Sequence, residues 1–411
     1  MHPSYHPASS GIAKGIAAYG KARLALFFAG FSTVSLIYCV QPLLPEFARE
    51  FGVVPASSAL ALSLTTGALA FAIFAAGAVS QALPRRGLMF ASMFIAAILN
   101  LTAALAPAWS VLLVARLLEG IALGGVPAVA MAYLAEEMRP ADLGKAMALY
   151  VAGTAFGGTV GRVGVGLLAE LGSWRSAMTM LSVVDLAASI GFALLLPASR
   201  AFLPVRNFDP RHHAREWVSH LSESGQIRLF GVAFLIMSVF VTLFNYATFR
   251  LLTAPWALSQ TGVSLLFLSY LAGVLASPLA GHVAGRFGRR WPLTGAITIM
   301  LIGTLLTLSS ALAVIVFGIV LVTCGFFGSH SIASAWVGRL AKSAKGHASS
   351  LYLLFYYLGS SITGSAGGWF WQHRGWGGVV ALTGTLAAAG AALAATMREP
   401  EQERSITPAR P

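Results

Sequence analysis

From Arg23 to Arg398 long apolar runs alternate with short polar breaks, and each run is about as long as a membrane is thick. A helix rises ~1.5 Å per residue, so about 20 apolar residues cross a ~30 Å hydrocarbon core. Twelve such runs are read, at 22–45, 57–81, 87–106, 109–134, 143–170, 174–196, 228–253, 260–284, 291–309, 311–337, 347–371 and 375–397. Pro42, Pro45, Pro84, Pro107, Pro140, Pro197, Pro255, Pro292 and Gly375 fall at run ends, where helix breakers belong. Only Ser309–Ser310 separates spans 9 and 10, and only His373–Gly375 separates spans 11 and 12. Residues 1–20 are polar and small, and the first run is long enough for a full span, so no cleaved signal is expected.

The pattern predicts an all-α membrane protein of twelve transmembrane helices in two six-helix bundles. The expected plan is an N-terminal segment 1–21, a bundle 22–197, a basic linker 198–227, a bundle 228–397 and a tail 398–411. Composition agrees: 57% of residues are hydrophobic and 10% charged, against about a quarter charged in soluble domains. That balance excludes an ordinary soluble enzyme, a disordered chain and a nucleic-acid-binding domain. The net charge of +13 is a topology signal. With the N-terminus inside, 21 of 27 Lys and Arg fall in inner segments, and only Arg49, Arg175 and Arg374 in outer ones. Both termini are therefore expected in the cytoplasm, the chain in the inner or plasma membrane, and the lipid bilayer as its surroundings. Trp109, Trp174, Trp256, Trp291 and Trp376 sit at span ends, as an interfacial belt requires. Cys39 and Cys324 are far apart, and His212–His213 has no flanking ligands at zinc spacing, so no metal or cofactor is expected. Stretch 198–227 reads as a solvated linker.

The halves repeat. Gly144, Ala146, Leu149, Tyr150, Gly157, Gly166 and Trp174 recur 202 positions later as Gly346, Ala348, Leu351, Tyr352, Gly359, Gly368 and Trp376. Ala76-Gly77 and Arg85-Arg86 recur 204 positions later as Ala280-Gly281 and Arg289-Arg290. Parallel repeats of six spans place a substrate near the midplane between them.

Local motifs then carry a resemblance. Gly281-x-x-x-Gly285-Arg286-x-Gly288-Arg289-Arg290 resembles the G-x-L-A-D-R-x-G-R-R loop of the major facilitator superfamily, with Gly285 in place of the acid. The equivalent loop after span 2 has Gln81 for the acid and Pro84 for a glycine. Arg116-x-x-Glu119-Gly120 in span 4 resembles R-x-x-Q-G-x-G of the proton-coupled exporters in that family. Gly153-x-x-x-Gly157-Gly158-x-x-Gly161-Arg162 in span 5 resembles their G-x-x-x-G-P-x-x-G-G. That last form, with Tyr38-x-x-Gln41-Pro42 in span 1, is similar to the YnfM-type inner-membrane transporters. The resemblance implies alternating access by a functional monomer, with Gly281, Arg286, Gly288, Arg289 and Arg290 in a conformational loop. Independently of it, Gly153, Gly157 and Gly161 line one helix face and admit a close neighbour, either for packing alone or as a sliding seam.

Arg116, Glu119, Arg162, Asp185 and Arg250 lie within spans. Each costs about 2.5–3.5 kcal/mol at a helix centre on insertion scales, so each should find a partner or face water. Arg116 and Glu119 share a face of span 4, and Arg162 lies at a similar depth in span 5. An Arg116–Glu119–Arg162 cluster is therefore expected, as a packing device or as a titrating site. Two guanidinium groups would hold that carboxylate ionised, so proton exchange there would need one arginine to move away. No Asp or Glu occurs between Glu223 and Glu399, so proton coupling by a carboxylate must use the first half, through Glu119 or Asp185. Asp185 has a competing reading as a helix-packing hydrogen bonder. Arg116, Arg162, Asn245, Tyr246, Tyr356 and His330 are the cavity candidates; Arg250 can snorkel outward. The expected function is proton-coupled efflux, by antiport, of a small organic solute, polar or anionic metabolite or drug. The alternatives are a uniporter or importer of a sugar or organic acid, and, in another class, a membrane sensor or channel. No H-E-x-x-H, G-x-S-x-G or nucleotide-binding loop points to an enzyme.

Overall fold

A computed structural model describes residues 12, 17–79, 84–199, 209–341 and 343–398. Lys14, Gln81, Arg200, Arg206, Lys342, Arg404 and Arg410 lie outside the described residues, as do most of 1–21 and all but Arg398 of 398–411. The described chain is helical, with no strand beyond one isolated bridge between Ile12 and Met138.

Helix α1 (Ala17–Tyr38) passes through a 3-10 turn, Gln41–Leu43, into α2 (Leu44–Glu50). Pro42 and Pro45 remove amide donors there, which is why the first span bends before it ends. A single turn α3 (Pro55–Ser58) leads into α4 (Leu60–Val79), and α5 is Arg85–Ala104. The fourth span, expected as one run, is two helices, α6 (Trp109–Leu123) and α7 (Pro127–Glu137). Pro127 starts the second because it cannot donate to the turn before it. The fifth span is α8 (Pro140–Thr159), a π-helical turn at Val160–Gly164, and α9 (Val165–Leu171). Helix α10 (Trp174–Leu195) ends the first half.

The linker is not simply a solvated coil. Pro210–Ser222 forms α11, capped by Asp209, whose carboxylate accepts from the Arg211 amide. The second half holds α12 (Ser224–Leu252), α13 (Gln260–Ser264), a 3-10 turn at Leu265–Leu268, α14 (Ser269–Phe287), α15 (Arg290–Leu306), α16 (Leu312–Leu340) and α17 (Lys345–Ala395). Gly288, at φ 81°, makes the left-handed turn between α14 and α15. At 51 residues α17 is twice a bilayer's depth, and it breaks at Gly375 (φ 55°, ψ −149°), so it supplies both last spans. Among the described residues nine segments are long and apolar enough to cross a membrane. The second crossing of α17, the 17-residue α15 and the α6–α7 pair complete twelve.

The two bundles pack alike. A Cβ on Gly153, Gly157 or Gly161 would overlap backbone of Phe27, Phe31 or Ser35 on α1. One repeat later, a Cβ on Gly359 would overlap the Phe234 carbonyl of α12. On the face opposite the linker the halves are joined. Ser361 Oγ donates to the Ser63 carbonyl at 2.7 Å, Gln260 Nε2 to the Pro42 carbonyl at 2.6 Å, and the Thr261 amide to Glu170 at 2.6 Å. On the linker face they part around a cavity of about 930 Å³, lined by Met131, Glu136 and Tyr150 from one half and His347, Ser350 and Leu353 from the other.

The glycine seam gives a stability prediction. Gly157→Val drives two methyls into the Phe31 backbone and should cost at least about 1–3 kcal/mol, the usual penalty of overpacking. Gly144→Ala, with nothing within 4 Å of the new Cβ, should be neutral or slightly stabilising. Thermal unfolding of the purified variants checks the pair, and equal losses would remove the close-approach explanation.

Candidate functional site

Arg116 and Arg162 of the first half are both buried within spans, and their surroundings differ. Arg116 on α6 is 0% exposed and satisfied by four helices. Its Nη1 donates to Glu119 Oε2 at 2.7 Å and to the Leu36 carbonyl at 3.0 Å. Its Nε donates to the Ala61 carbonyl at 3.0 Å and its Nη2 to the Ile37 carbonyl at 2.8 Å. Asn100 on α5 accepts from the same Nη1 at 3.3 Å and donates to Ser182 on α10 at 2.9 Å. The Leu36 and Ile37 carbonyls are open to capture because α1 ends nearby, where its last carbonyls have no intrahelical partner.

Glu119 is also 0% exposed, and its Oε1 has no hydrogen-bond partner among the described residues. Asp185 on α10, also 0% exposed, accepts from Ser35 Oγ at 3.2 Å and lies within electrostatic range of Glu119. Two carboxyls are thus buried near each other, one paired with Arg116 and the other held by a serine hydroxyl.

Arg162 does not join this cluster, contrary to the depth argument. Its Nε donates to Gln41 Oε1 at 2.8 Å and its Nη1 to the Gly158 carbonyl at 3.0 Å. The guanidinium carbon sits 4.0 Å from the Tyr38 ring centroid, 4.5 Å from Tyr270 and 5.5 Å from Phe267, the last two in the second half. No carboxylate pairs with it among the described residues. It occupies the π-helical turn of the fifth span, one position past Gly161, which packs against Ser35 of α1. Helix α1 separates the groups, with Cys39 facing Arg116 and Tyr38 facing Arg162.

Gln41 links this arginine to the other half, its Nε2 donating to Asn245 Oδ1 on α12 at 2.9 Å. Gln41 and Asn245 stand 204 positions apart, one repeat, so they are counterparts meeting across the pseudo-twofold axis. The symmetry then fails in one place. Arg162 has Gly364 as its counterpart 202 positions on, and the Asn245 Nδ2 that faces Gly364 is buried without a partner. One half carries a cation where the other carries nothing.

Comparison with known proteins fits this arrangement. The Major Facilitator Superfamily profile matches residues 26–269 and 229–411. The chain belongs to the major facilitator superfamily. It is 43% identical over 371 residues to the MFS-type transporter YybF of Bacillus subtilis (strain 168), covering 90% of this chain and 92% of that one. It is 42% identical to the inner membrane transport protein YnfM of Escherichia coli (strain K12), covering 90% and 89%. Among solved structures, the nucleoside transporter NupG aligns over 92% of this chain and all of that one, at TM-score 0.78 and 14% identity. The human organic anion transporter MFSD10 aligns over 92% and 99%, at TM-score 0.69 and 16% identity. At such identities the structures speak for the fold alone. The chain is a multi-pass membrane transporter of the secondary type, not an enzyme.

The remaining candidates of this facilitator lie in the second half. Tyr356 and His330 form part of an aromatic wall in the second half. The His330 ring lies 4.8 Å from that of Tyr356, and His330 Nδ1 is 2.9 Å from Tyr352 Oη. Tyr246 is a packing residue, donating to the Gly364 carbonyl at 2.8 Å. Arg250 bonds the Thr307 and Ser309 carbonyls just past the end of α15 and stacks on Trp256 and Trp376. Among the described residues no group of three metal-ligating side chains converges. Gln41, Tyr38, Tyr270 and Asn100 were not singled out as site residues from the sequence. For Gln41 a signal existed, since an amide recurs one repeat later as Asn245.

The two arginines should respond differently to removal. Arg116→Gln strips a buried carboxylate of its counter-charge and should destabilise by about 3–5 kcal/mol. Arg162→Gln leaves no ion unpaired and should cost no more than about 1–3 kcal/mol. Unfolding of the detergent-solubilised variants measures the difference, and the reverse order would contradict the assigned partners.

Proposed function

We propose that this facilitator moves a small organic anion by alternating access, with Arg162 as the anion's anchor and the Glu119–Asp185 pair as the proton site. The single observation that carries the reading is the Arg162 guanidinium, buried between the halves beside three aromatic rings, without a carboxylate partner among the described residues. A cation in that setting lacks a counter-ion, and a carboxylate, sulfonate or phosphate on the substrate supplies one. The aromatic walls suit a substrate with an apolar body. The family relation supports transport, and the exporter-like motif in span 4 supports efflux. The basic linker face is taken as cytoplasmic on the distribution of Lys and Arg. The joined opposite face and the open linker face then correspond to an inward-facing state.

Charge balance bears on the coupling. With both carboxyls ionised, the Arg116–Glu119–Asp185 group carries one negative charge, and one proton neutralises it. Empty Arg162 carries one positive charge, and one anion neutralises it. The transporter core is neutral when both ligands are absent or both present, and charged when only one is bound. Reorientation through a low-dielectric barrier favours the neutral states. This supports a proton travelling with the anion, in place of the exchange that the motifs alone suggest. The two sites communicate through one stretch of α1, since Leu36 and Ile37 hold Arg116 while Tyr38 and Gln41 hold Arg162.

Proteoliposomes with an entrapped pH dye test the reading against a panel of organic acids, sugars and organic cations. An imposed acid-anion gradient should carry protons in its own direction. Arg162→Gln should lower that flux about ten- to hundredfold, the worth of a charge-assisted hydrogen-bonded pair. Glu119→Gln should abolish proton movement while anion exchange persists. Flux of sugars or cations alone, or unchanged flux in Arg162→Gln, would overturn the anion assignment. Unchanged proton movement in Glu119→Gln would overturn its part of the proton site.

A further inference from the structure

Helix α11 crosses the mouth of the cavity between the halves. His212, Glu216 and Trp217 all line it. Trp217 stacks on Phe74 of α4 with ring centroids 4.0 Å apart and planes at 27°, which ties the helix to the first half. His213 Nδ1 stands 2.8 Å from His347 Nε2 at the start of α17, with the rings 5.1 Å apart at 29°, which ties it to the second. His213 is 7% and His220 4% exposed, although α11 lies in the most hydrophilic stretch of the chain. A linker serving only as a tether would not bury histidines or seat a tryptophan between the halves.

We propose that α11 is a proton-sensitive strap over this mouth, latched by the His213–His347 hydrogen bond. The bond needs one ring to donate an N–H and the other to offer a lone pair, so at least one imidazole must be neutral. When both are protonated, each presents only donors and the two positive rings repel. Histidine titrates near pH 6.5, within the range a cell compartment can reach. The strap is therefore closed at neutral pH and released as the pH on the linker face falls through the range where both rings charge.

The surroundings fit such a response. On α11 itself His212, Glu216 and His220 act electrostatically on His347 together with His213. The Glu216 carboxylate attracts positive charge at His347, and the other imidazoles oppose it once charged themselves. Across the cavity Arg85 and Glu136 pair with each other at 2.7 Å, so their charges largely cancel there. On α17 Lys345 lies two residues before His347 and adds positive charge near the latch. Release would free α11 from α17 and leave Trp217–Phe74 as its contact with the first half. The mouth would then open without any change at Arg162 or Glu119, so the inference stands apart from the anion and proton assignments.

Hydrogen exchange of the full chain in lipid nanodiscs tests it without a substrate. Amides of 210–222 should exchange at least about tenfold faster at pH 5.5 than at pH 7.5, after correction for the intrinsic pH dependence of exchange. A His213→Asn, His347→Gln double variant can keep a hydrogen bond but cannot charge, so it should stay protected at both pH values. His347→Ala should exchange fast at both. Equal protection of the unaltered chain at the two pH values would overturn the latch. An undiminished pH response in the double variant would overturn the two histidines as its cause.

Discussion

A guanidinium inside a bilayer must be hydrogen-bonded or matched by charge, and the first bundle is organised around meeting that demand twice in different ways. Arg116 meets it with protein alone. The carbonyls of α1 and α4, the Asn100 amide and the Glu119 carboxylate surround it, so removing it would unpair several elements together. Arg162 meets it incompletely, with one amide oxygen, one carbonyl and the faces of aromatic rings. The first arrangement explains cohesion of the bundle. The second leaves the charge without a carboxylate partner among the described residues.

The helices themselves have a division of labour set by small residues. Glycines on the fifth and eleventh spans let α1 and α12 approach to backbone contact in each bundle. Between the bundles α17 packs closely on α4 and α3, with Gly67 against Ser361 and Gly368 against the Ala56 backbone, and hydrogen bonds add to this: Gln41 to Asn245, Ser361 to Ser63, Gln260 to Pro42. At the other end α11, braced by Trp217 and His213, is the part of the cavity rim that belongs to neither bundle.

Much of this was legible in the residues. Apolar run lengths, prolines and the distribution of Lys and Arg gave twelve spans and their breaks, because a bilayer imposes one length on every crossing. The repeat of Gly157 as Gly359 and Trp174 as Trp376 gave the pseudo-symmetry. What failed was azimuth. Depth along a helix follows from counting at 1.5 Å per residue, which put Arg162 level with Glu119. The direction a side chain faces depends on what packs beside it. Arg162 follows Gly161, which packs on α1, and lies over Tyr38 and Tyr270, so equal depth did not become contact. The span-4 break at Gly124–Val126 and the folding of the linker into α11 were hidden for a related reason, since both depend on what packs beside them.

The placement of Arg162 and the carboxyl pair on opposite sides of α1 has an electrical consequence. If anion and proton cross together, as the charge balance favours, each cycle transfers no net charge and the membrane voltage does no work on it. If they crossed in opposite directions, two charges would move per cycle, and each is worth about 2.3 kcal/mol per 100 mV. A patch of membrane or a voltage-clamped vesicle would register the second case as current and the first as silence. A carrier of the silent kind would run at the same speed in an energised cell and a depolarised one, and only the concentrations of acid on the two sides would set its direction.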